Sequence, residues 1–393
     1  MLSSAYSTLT SSFSPPTLLL LTSLLCPLLW PFLFLSWPLI IFHIYSHHKL
    51  LHPSRVEPRK VLPKFLNPKN TQTTLIPHRG GSGSTPENTL LSYRLHPLNH
   101  IDLKKTLDNH VVCFHDQEPH ERNMLKLTGR DVSLGSFDLC RLPPLTSKIP
   151  TNPLCDPTYI PCTGREGRKI PTFSDVVALK KPMFLEVWDD DFGLVESVSD
   201  ILGEDCGEVV WGNRFSKLIQ SICLQVNPSI PVTSTAPQMF SIYLLYYLGL
   251  LPFINIKGFD VFMVVVVNVE RWRRLFVGAF GEEDSTAYWV ADFVVTRVVG
   301  VLDWVLRAER LFKHLRMRGI PVIGYVVNDA DDWEYCVANN FDGILTDYPK
   351  RAEQVLRRNR GVEGEVLESA KEVGDDFDRT MMRRRKEAFN GKF

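Results

Sequence analysis

Histidine and carboxylate side chains of this 393-residue chain lie in, or directly after, short apolar segments that are typical of β-strands. His78 and His115 each end such a segment, and His100 and Asp102 lie two residues apart within another. Because residues two apart in a strand share a face, His100 and Asp102 are expected to point the same way. Glu186 lies in the apolar run MFLEV, where a carboxylate is costly unless it is paired or binds a metal ion. Each residue alone fits a hydrogen-bonded core position, but together they predict a polar site.

The elements that must position these side chains alternate between strands and helices from Thr73 to Val355. Helix-like runs such as Arg214–Cys223 and Trp304–Arg318 favour a parallel sheet with helical crossovers. The length suits a (β/α)₈ TIM barrel, an α/β fold, better than two small domains. Active sites of such barrels form at the C-terminal ends of the strands, where the polar residues are expected to meet. The predicted strands are Thr74–Pro77, His100–Thr106, Val111–His115, Pro182–Val187, Val209–Trp211, Pro231–Thr235, Phe262–Val267, Val322–Val327 and Gly343–Leu345.

Longer motifs surround the same residues. HRGGSGSTPENT (His78–Thr89) is similar to the H-R-G…P-E-N-T signature that opens the glycerophosphodiester phosphodiesterases. TLDNHVVCFHD (Thr106–Asp116) is similar to the T-x-D-(x)n-V-x-x-H-D block of that family. FLEV (Phe184–Val187) resembles the family's strand with the third acidic metal ligand. IPVIGYVVND (Ile320–Asp329) and DGILTDYP (Asp342–Pro349) resemble its last two barrel strands.

The resemblance covers residues 73–356 and extends to one branch of the family. WGN (Trp211–Asn213) and the apolar YLGLLPF (Tyr247–Phe253) are similar to the membrane-bound eukaryotic branch that acts as lysophospholipase D. The resemblance implies a metal-dependent phosphodiesterase that hydrolyses glycerophosphodiesters or lysophospholipids, the latter giving lysophosphatidic acid and the headgroup alcohol. Phospholipase C-like cleavage of the other P–O bond and a catalytically impaired, lipid-binding barrel are the alternatives.

The resemblance also implies roles for the residues of the site. His78 and His115 correspond to the acid/base pair, because one group must activate the nucleophile and another must protonate the leaving alkoxide. Asp102 and Glu186 correspond to ligands of a divalent metal ion, Mg²⁺ or Ca²⁺, with His100 and His115 as further ligands. Residues expected to contact the substrate are Arg79, for which a structural salt bridge is the alternative, Gly80, Tyr325 and Asn328.

Other polar residues of the motifs are expected to support the site. Glu87 and Asn88 are expected to brace the loop, and Asp116 to orient His115. Asp347 is interpreted as a structural residue that closes the last strand.

Three departures from the family pattern affect the predicted metal and phosphate sites. His100 stands where the family has its first metal-binding Glu, and the interval from Thr89 to Asp102 is shorter than usual, which a faulty gene model would also explain. Trp188 stands where the E-x-K motif has a phosphate-binding lysine. An imidazole ligand such as His100 favours softer metal ions, whereas a carboxylate favours hard ones. The site is therefore expected to tolerate Mn²⁺ or Zn²⁺ better than Mg²⁺ or Ca²⁺.

Composition excludes two classes of protein. Lys+Arg and Asp+Glu are both 44, so the net charge is zero, which argues against a nucleic-acid binder with a basic surface. The eight cysteines form no C-x-x-C pair, so neither a disulfide framework nor a structural zinc site is expected, only reduced and mostly buried thiols. No protein partner is predicted. The expected partners are a phospholipid or glycerophosphodiester substrate and a membrane.

The first 48 residues are predicted to be a hydrophobic membrane anchor. No charged residue precedes Lys49, and Thr17–Tyr45 is long enough to span a bilayer. Pro27, Pro31 and Pro38 would kink such a helix, so a re-entrant or broken segment is the alternative. A cleaved signal peptide would have a shorter apolar core and a positive segment before it. Residues 49–72 form a basic linker, which by the positive-inside rule places the catalytic domain in the cytoplasm, on an endomembrane such as the endoplasmic reticulum.

Two other segments carry expectations of their own. Phe240–Ile256 has no charge, and it is interpreted either as a buried helix of the barrel wall or as an interfacial element that dips into a membrane. Residues 357–393 are predicted to form a charged, solvated tail.

Overall fold

The computed structural model describes residues 30–51, 53, 60, 62–66, 72–115, 124–150, 159–203, 208–266 and 286–359. Its strands are β1 (Thr74–Pro77), β2 (Asn99–Lys105), β3 (Val111–Cys113), β4 (Lys148–Pro150), β5 (Tyr159–Pro161), β6 (Met183–Val187), β7 (Val209–Gly212), β8 (Phe262–Val265), β9 (Val322–Tyr325) and β10 (Gly343–Thr346). Its α-helices are α1 (Trp30–Leu51), α2 (Leu90–Arg94), α3 (Met124–Thr128), α4 (Phe173–Val177), α5 (Phe192–Leu202), α6 (Lys217–Val226), α7 (Ala236–Tyr247), α8 (Thr286–Leu306), α9 (Glu309–Met317), α10 (Ala330–Ala338) and α11 (Pro349–Asn359).

Parallel strands close into a ring of eight positions. β8, β9, β10 and β1 pair in that order, and β2, β6 and β7 pair in a second parallel group. Val232 and Thr233 fill the eighth position by bridging β7 and the residue before β8. β1 and β2 lie side by side and complete the circle. The fold is a (β/α)₈ barrel, as the alternation of elements predicts.

Eight of the predicted strands overlap a strand of the structure, and Pro231–Thr235 contributes only the bridges. The predicted strand Val111–His115 is present as β3 (Val111–Cys113), but it is not one of the parallel strands of the barrel. β3 instead pairs antiparallel with β2, because the Thr106 N–H donates to the His110 carbonyl in a tight turn with Asn109 at a φ of 63°. Parallel pairing would need a connection of roughly a dozen residues or more.

The predicted helix Trp304–Arg318 is broken into α8 and α9. Arg307 lies at the break, where its guanidinium donates to Asp303 at 2.7 Å and to Asp332 at 3.2 Å. The two ion pairs therefore fix the chain where it leaves one helix and enters the next.

The barrel interior is built in layers, because every second residue of a strand points inward. A buried apolar layer contains Ile76, Phe184, Val210, Met263, Ile323 and Leu345. The residues two positions further along β1, β6, β9 and β10 are His78, Glu186, Tyr325 and Asp347. A polar layer thus lies directly above the apolar one, at the C-terminal ends of the strands.

Helix α1 packs on the outside of the barrel. The Ser46 hydroxyl donates to the Gly249 carbonyl at 2.5 Å, and Phe42 and Tyr45 lie against Phe253. The His314 ring on α9 contacts the Leu50 carbonyl at 2.7 Å. No helix within the described ranges is both long enough and apolar enough to cross a membrane. Residues 17–29 of the predicted span lie outside those ranges.

The uncharged segment Phe240–Ile256 has two different faces. Met239, Ile242 and Tyr243 of the same helix, α7, are buried against the barrel. Exposed side chains cover the opposite face and the turn that follows: Phe240, Leu244, Tyr247, Leu248, Leu250, Phe253 and Ile254. The buried-helix interpretation therefore accounts for one face only.

The cysteines that the structure describes are all free thiols. Cys113, Cys162, Cys223 and Cys336 are buried, and Cys140 is exposed. Residues 360–393, which make up most of the predicted tail, lie outside the described ranges.

Candidate active site

The loop after β1 turns sharply under the barrel mouth. Arg79, Gly80 and Gly81 take φ angles of 53°, 81° and 88°, a left-handed conformation that favours glycine. A Cβ on Gly80 would lie 2.3 Å from the Ser92 hydroxyl oxygen, so only glycine fits there. The backbone of this loop is thereby pressed against helix α2.

The P-E-N-T part of the motif braces the site from within the loop. Asn88 donates to Asp102 at 2.9 Å and accepts from the Tyr93 hydroxyl at 2.6 Å. Glu87 lies 3.4 Å from Nη1 of Arg79. The Thr89 side chain caps helix α2 by accepting from the Ser92 N–H. Thus Glu87 and Asn88 hold Arg79 and Asp102 in place.

His78 is held by Asp347, whose Oδ1 lies 2.6 Å from Nδ1 of the ring. Asp347 in turn accepts from the Ser82 hydroxyl and, at 2.8 Å, from the Asn328 amide. Nε2 of His78 is buried and has no hydrogen-bond partner among the described residues. Burial lowers the pKa of His78 below its usual 6.5, although Asp347 opposes the shift. Asp347 is therefore more than the strand-closing residue that the sequence predicts, since it orients a neutral imidazole.

Three buried side chains could hold a metal ion. Ligand atoms of His100, Asp102 and Glu186 all lie within 4.8 Å of one another. Asp102 and Glu186 are register partners on β2 and β6, so they share one level of the barrel. Oε2 of Glu186 and Nε2 of His100 are buried without a hydrogen-bond partner in the described ranges, and a cation would satisfy both. The residues present therefore fit a divalent ion.

His100 differs from the two carboxylates in depth and in hydrogen bonding. It pairs in register with Phe184, and the two rings stack at 5.5 Å, so it lies in the apolar layer. Its Nδ1 accepts a long hydrogen bond of 3.4 Å from the Arg79 N–H. A neutral imidazole that accepts at Nδ1 carries its proton on Nε2, the atom that faces Glu186 at 3.5 Å. Ligation through Nε2 would require the other tautomer, so Asp102 and Glu186 are the stronger ligands.

Asp102 is the centre of the site's charge network. Burial alone would raise its pKa, but Arg79 and the neighbouring histidines hold the pKa of this carboxyl well below its usual range. Nε of Arg79 lies 3.0 Å from Oδ2 of Asp102, so Arg79 forms the structural salt bridge that is the alternative to its predicted contact with the substrate. The indole N–H of Trp188 donates to Oδ1 of Asp102 at 2.8 Å. Asp102 is therefore ionised and held from several sides.

His115 reaches the site by way of the β2–β3 hairpin. The Phe114 N–H donates to the Asp102 carbonyl at 3.0 Å, which brings the next residue beside the carboxylates. The buried His115 ring lies edge-on to Trp188, with 4.8 Å between ring centres. It is not one of the three residues of the metal cluster, and Asp116, expected to orient it, lies outside the described ranges.

Sequence reasoning missed two further residues of the site. The sequence identifies Trp188 only as the residue that replaces a lysine, yet its indole donates to Asp102 and packs against the His115 ring. Arg214 follows β7 and lies over the Tyr325 ring at 4.5 Å. Its only sequence signal is its place two residues after Gly212, the register partner of Glu186.

Known proteins resemble this chain in sequence and in fold. Residues 78–206 match the model of the glycerophosphoryl diester phosphodiesterase family. The chain is 26% identical to Lysophospholipase D GDPD1 of Rattus norvegicus over 311 residues, 75% of this chain and 90% of that protein. It is 28% identical to Lysophospholipase D GDPD3 of Mus musculus over 295 residues, 72% of this chain and 81% of that protein. A solved structure of a candidate glycerophosphoryl diester phosphodiesterase from Silicibacter pomeroyi has the same fold, with a TM-score of 0.51, 15% identity, and coverage of 76% of this chain and 97% of that one.

Fold, site and sequence matches together define a phosphoric diester hydrolase. The chain carries a domain of the glycerophosphodiester phosphodiesterase family and is similar to eukaryotic lysophospholipases D. The family predicted from the H-R-G…P-E-N-T and H-D motifs is confirmed.

Proposed function

We propose that this protein is a metal-dependent phosphodiesterase that hydrolyses glycerophosphodiesters or lysophospholipids in the manner of a lysophospholipase D. The observation that carries the proposal is the His78–Asp347 pair, whose free Nε2 belongs to the same polar layer as Asp102 and Glu186. A lysophospholipid would give lysophosphatidic acid and the headgroup alcohol. The relatives named as lysophospholipases D favour this bond over the one a phospholipase C-like enzyme would break.

The two histidines divide the proton transfers. His78 is neutral near pH 7 because burial lowers its pKa, so its Nε2 takes a proton from the attacking water. The water oxygen bonds to phosphorus, and the bond from phosphorus to the headgroup oxygen breaks. His115 gives a proton to the leaving alkoxide. Asp347 keeps the His78 ring in the tautomer that leaves Nε2 available.

The metal ion would be held by Asp102 and Glu186, with His100 beside them. A divalent cation in that position neutralises charge on the phosphate oxygens. Arg79 keeps Asp102 paired in the structure described here. The two carboxylates match the oxygen ligands that Mg²⁺ and Ca²⁺ prefer, whereas His100 favours Mn²⁺ or Zn²⁺.

A membrane is the proposed location, with residues 1–48 as the anchor. The exposed apolar face of α7 supports this location, because such a face can be buried in a membrane surface. Helix α1, which contains the end of the proposed anchor, packs beside the turn Leu251–Phe253 that follows α7, so the anchor ends next to this face. The catalytic domain is proposed to lie on the cytoplasmic side of an endomembrane, on the strength of the basic residues in the linker 49–72.

The test is turnover of purified protein on glycerophosphocholine and lysophosphatidylcholine, with Mg²⁺, Ca²⁺, Mn²⁺ or Zn²⁺ added after treatment with a chelator. Release of free choline supports lysophospholipase D-type cleavage, and release of phosphocholine would assign the other bond. Full activity in the chelator alone would contradict metal dependence. Absence of turnover with every metal and substrate would leave a lipid-binding barrel as the better description.

A further inference from the structure

Arg214 is a buried cation of the site that takes no part in the proposed proton transfers or in the metal cluster. Only 3% of its surface is exposed, and Nη1 has no hydrogen-bond partner within the described ranges. Nη2 donates to the thioether sulfur of Met239 at 3.5 Å, a weak acceptor. A guanidinium buried without an oxygen partner is costly, since its lost hydration is not replaced.

The position of Arg214 places this unused donor at the barrel mouth. Asn213, the residue before it, donates to the Val187 carbonyl at 2.5 Å and thereby ties the end of β7 to the end of β6. The Arg214 guanidinium lies over the Tyr325 ring, whose centre is 6.4 Å from that of His78. The charge of Glu186 attracts this guanidinium. The Arg214 guanidinium is therefore separated from the acid/base histidine by a single ring, that of Tyr325.

The other cations of the site are engaged or absent. Arg79 is paired with Asp102 and Glu87. Position 188, where the related motif has a lysine, holds a tryptophan whose N–H is used by Asp102. A phosphodiester brings a negative charge and several acceptor oxygens, which suit a guanidinium better than any other side chain.

We infer that Arg214 binds the phosphate group of the substrate through Nη1, in place of the lysine that is absent at position 188. This rests on the proposed function only for the chemical class of the substrate, because the ligand tested is phosphate itself. Arg214 is a binding residue in this inference and transfers no proton.

The structural alternative is that Arg214 serves only to pack on Tyr325 and Met239. The two roles predict opposite effects of Arg214→Met, which keeps the volume and removes the charge. A phosphate-binding role predicts an unchanged or higher melting temperature, because an uncompensated buried charge is removed. A packing role predicts a lower melting temperature and unaltered phosphate binding.

The experiment is calorimetric titration of the full-length protein in detergent with inorganic phosphate, alongside its thermal unfolding. Arg214→Met is expected to weaken phosphate binding by about 10- to 100-fold, the worth of a charge-assisted hydrogen bond. Arg214→Lys should retain part of the affinity, and adding Trp188→Lys to Arg214→Met should restore part of it. Unchanged phosphate affinity in Arg214→Met would overturn the inference, as would a wild-type protein that binds no phosphate.

A matched control is Arg318→Met, which removes another buried guanidinium outside the barrel mouth. Arg318 donates to the carbonyls of Leu251 and Ile254, so its loss should lower the melting temperature and leave phosphate affinity alone. Loss of phosphate affinity in this control to the same degree would also overturn the inference. Because no turnover is needed, a protein inactive on every lipid but weakened in phosphate binding by Arg214→Met would refute the proposed function and uphold the role of Arg214.

Discussion

Asp347 Oδ1 lies 2.6 Å from His78 Nδ1, although 269 positions of sequence separate the two residues. They meet because β1 and β10 are neighbours in the closed barrel, with Pro77 paired to Thr346. The hydrogen bond leaves Nε2 of His78 as the only ring atom able to exchange a proton. The polar layer of the barrel is thus organised around an oriented histidine.

Asp347→Asn is expected to reduce turnover by about 10²–10⁴-fold, within the range for a group that supports general acid–base catalysis. Because Asp347 raises the pKa of His78 against the effect of burial, its neutralisation should lower that pKa further. Activity that needs neutral His78 falls as the pH drops through this pKa. The acidic limb of the pH–rate profile should therefore move to lower pH in the variant.

The control for this pair is Asp342→Asn, a buried carboxylate at the other end of β10 that is paired with Arg316. Its loss should reduce stability without moving the acidic limb. If Asp347→Asn leaves the profile in place, the carboxylate does not act through His78.

His115→Ala is expected to lower turnover by about 10²–10⁴-fold, the range for general acid–base catalysis, with the fold retained, since the ring lies edge-on to Trp188 at the end of the strands. His110→Ala, an exposed histidine on the same hairpin, should change neither. Normal turnover of His115→Ala would remove this residue from the mechanism, and collapse of the fold would assign it to the core.

His100→Glu should raise activity in Mg²⁺ or Ca²⁺, because it adds an oxygen ligand and a negative charge to the cluster of His100, Asp102 and Glu186. Glu186→Gln should abolish activity in every metal while keeping the shape of the side chain. The measurement is a titration of turnover with Mg²⁺, Ca²⁺, Mn²⁺ and Zn²⁺. An unchanged metal preference in His100→Glu would mean that position 100 lies too deep in the apolar layer to reach the ion.

Asn88→Ala should destabilise the fold by about 1–3 kcal/mol, because it removes the acceptor of the buried Tyr93 hydroxyl and one of the hydrogen bonds that Asp102 accepts. Asn109→Ala is the matched control, an exposed asparagine that also has a positive φ. Urea unfolding of both variants separates the lost hydrogen bonds from backbone strain. Equal losses in the free energy of unfolding for the two variants would show that the side-chain amide of Asn88 contributes nothing, and that only the positive φ at this position matters.

Membrane attachment should need both the N-terminal segment and the apolar face of α7. Removing residues 1–29 is expected to weaken sedimentation with vesicles, and the double substitution Phe240→Glu and Leu244→Glu should weaken it further. Each change removes apolar surface that the protein would otherwise bury in the membrane interface. Leu218→Glu, an exposed leucine on α6, is the control. Retention of the truncated, doubly substituted protein on vesicles in high salt would refute this attachment.

Sequence by itself determined most of the barrel strands and much of the site. The period of two in His100 and Asp102, and the carboxylate in MFLEV, predicted a polar layer at the strand ends, because side-chain direction along a strand is a local property. The motif HRGGSGSTPENT identified the family for the same reason, because the conformations that its glycines allow and the helix cap that it provides involve only residues close together in the sequence. Features that depend on residues close together in the sequence can therefore be predicted from the sequence alone.

Tertiary structure alone decided which of these residues meet. Asp347 reaches His78, Asn88 reaches Asp102, and Trp188 takes the place beside Asp102 only after the barrel closes. Val111–His115 became a hairpin strand because its connection is too short for a crossover. Which side chains meet across the closed barrel depends on the order and relative register of the strands. Whether a charge such as that of Arg214 is buried depends on all the residues packed around it. A local sequence pattern encodes neither the strand order nor this packing.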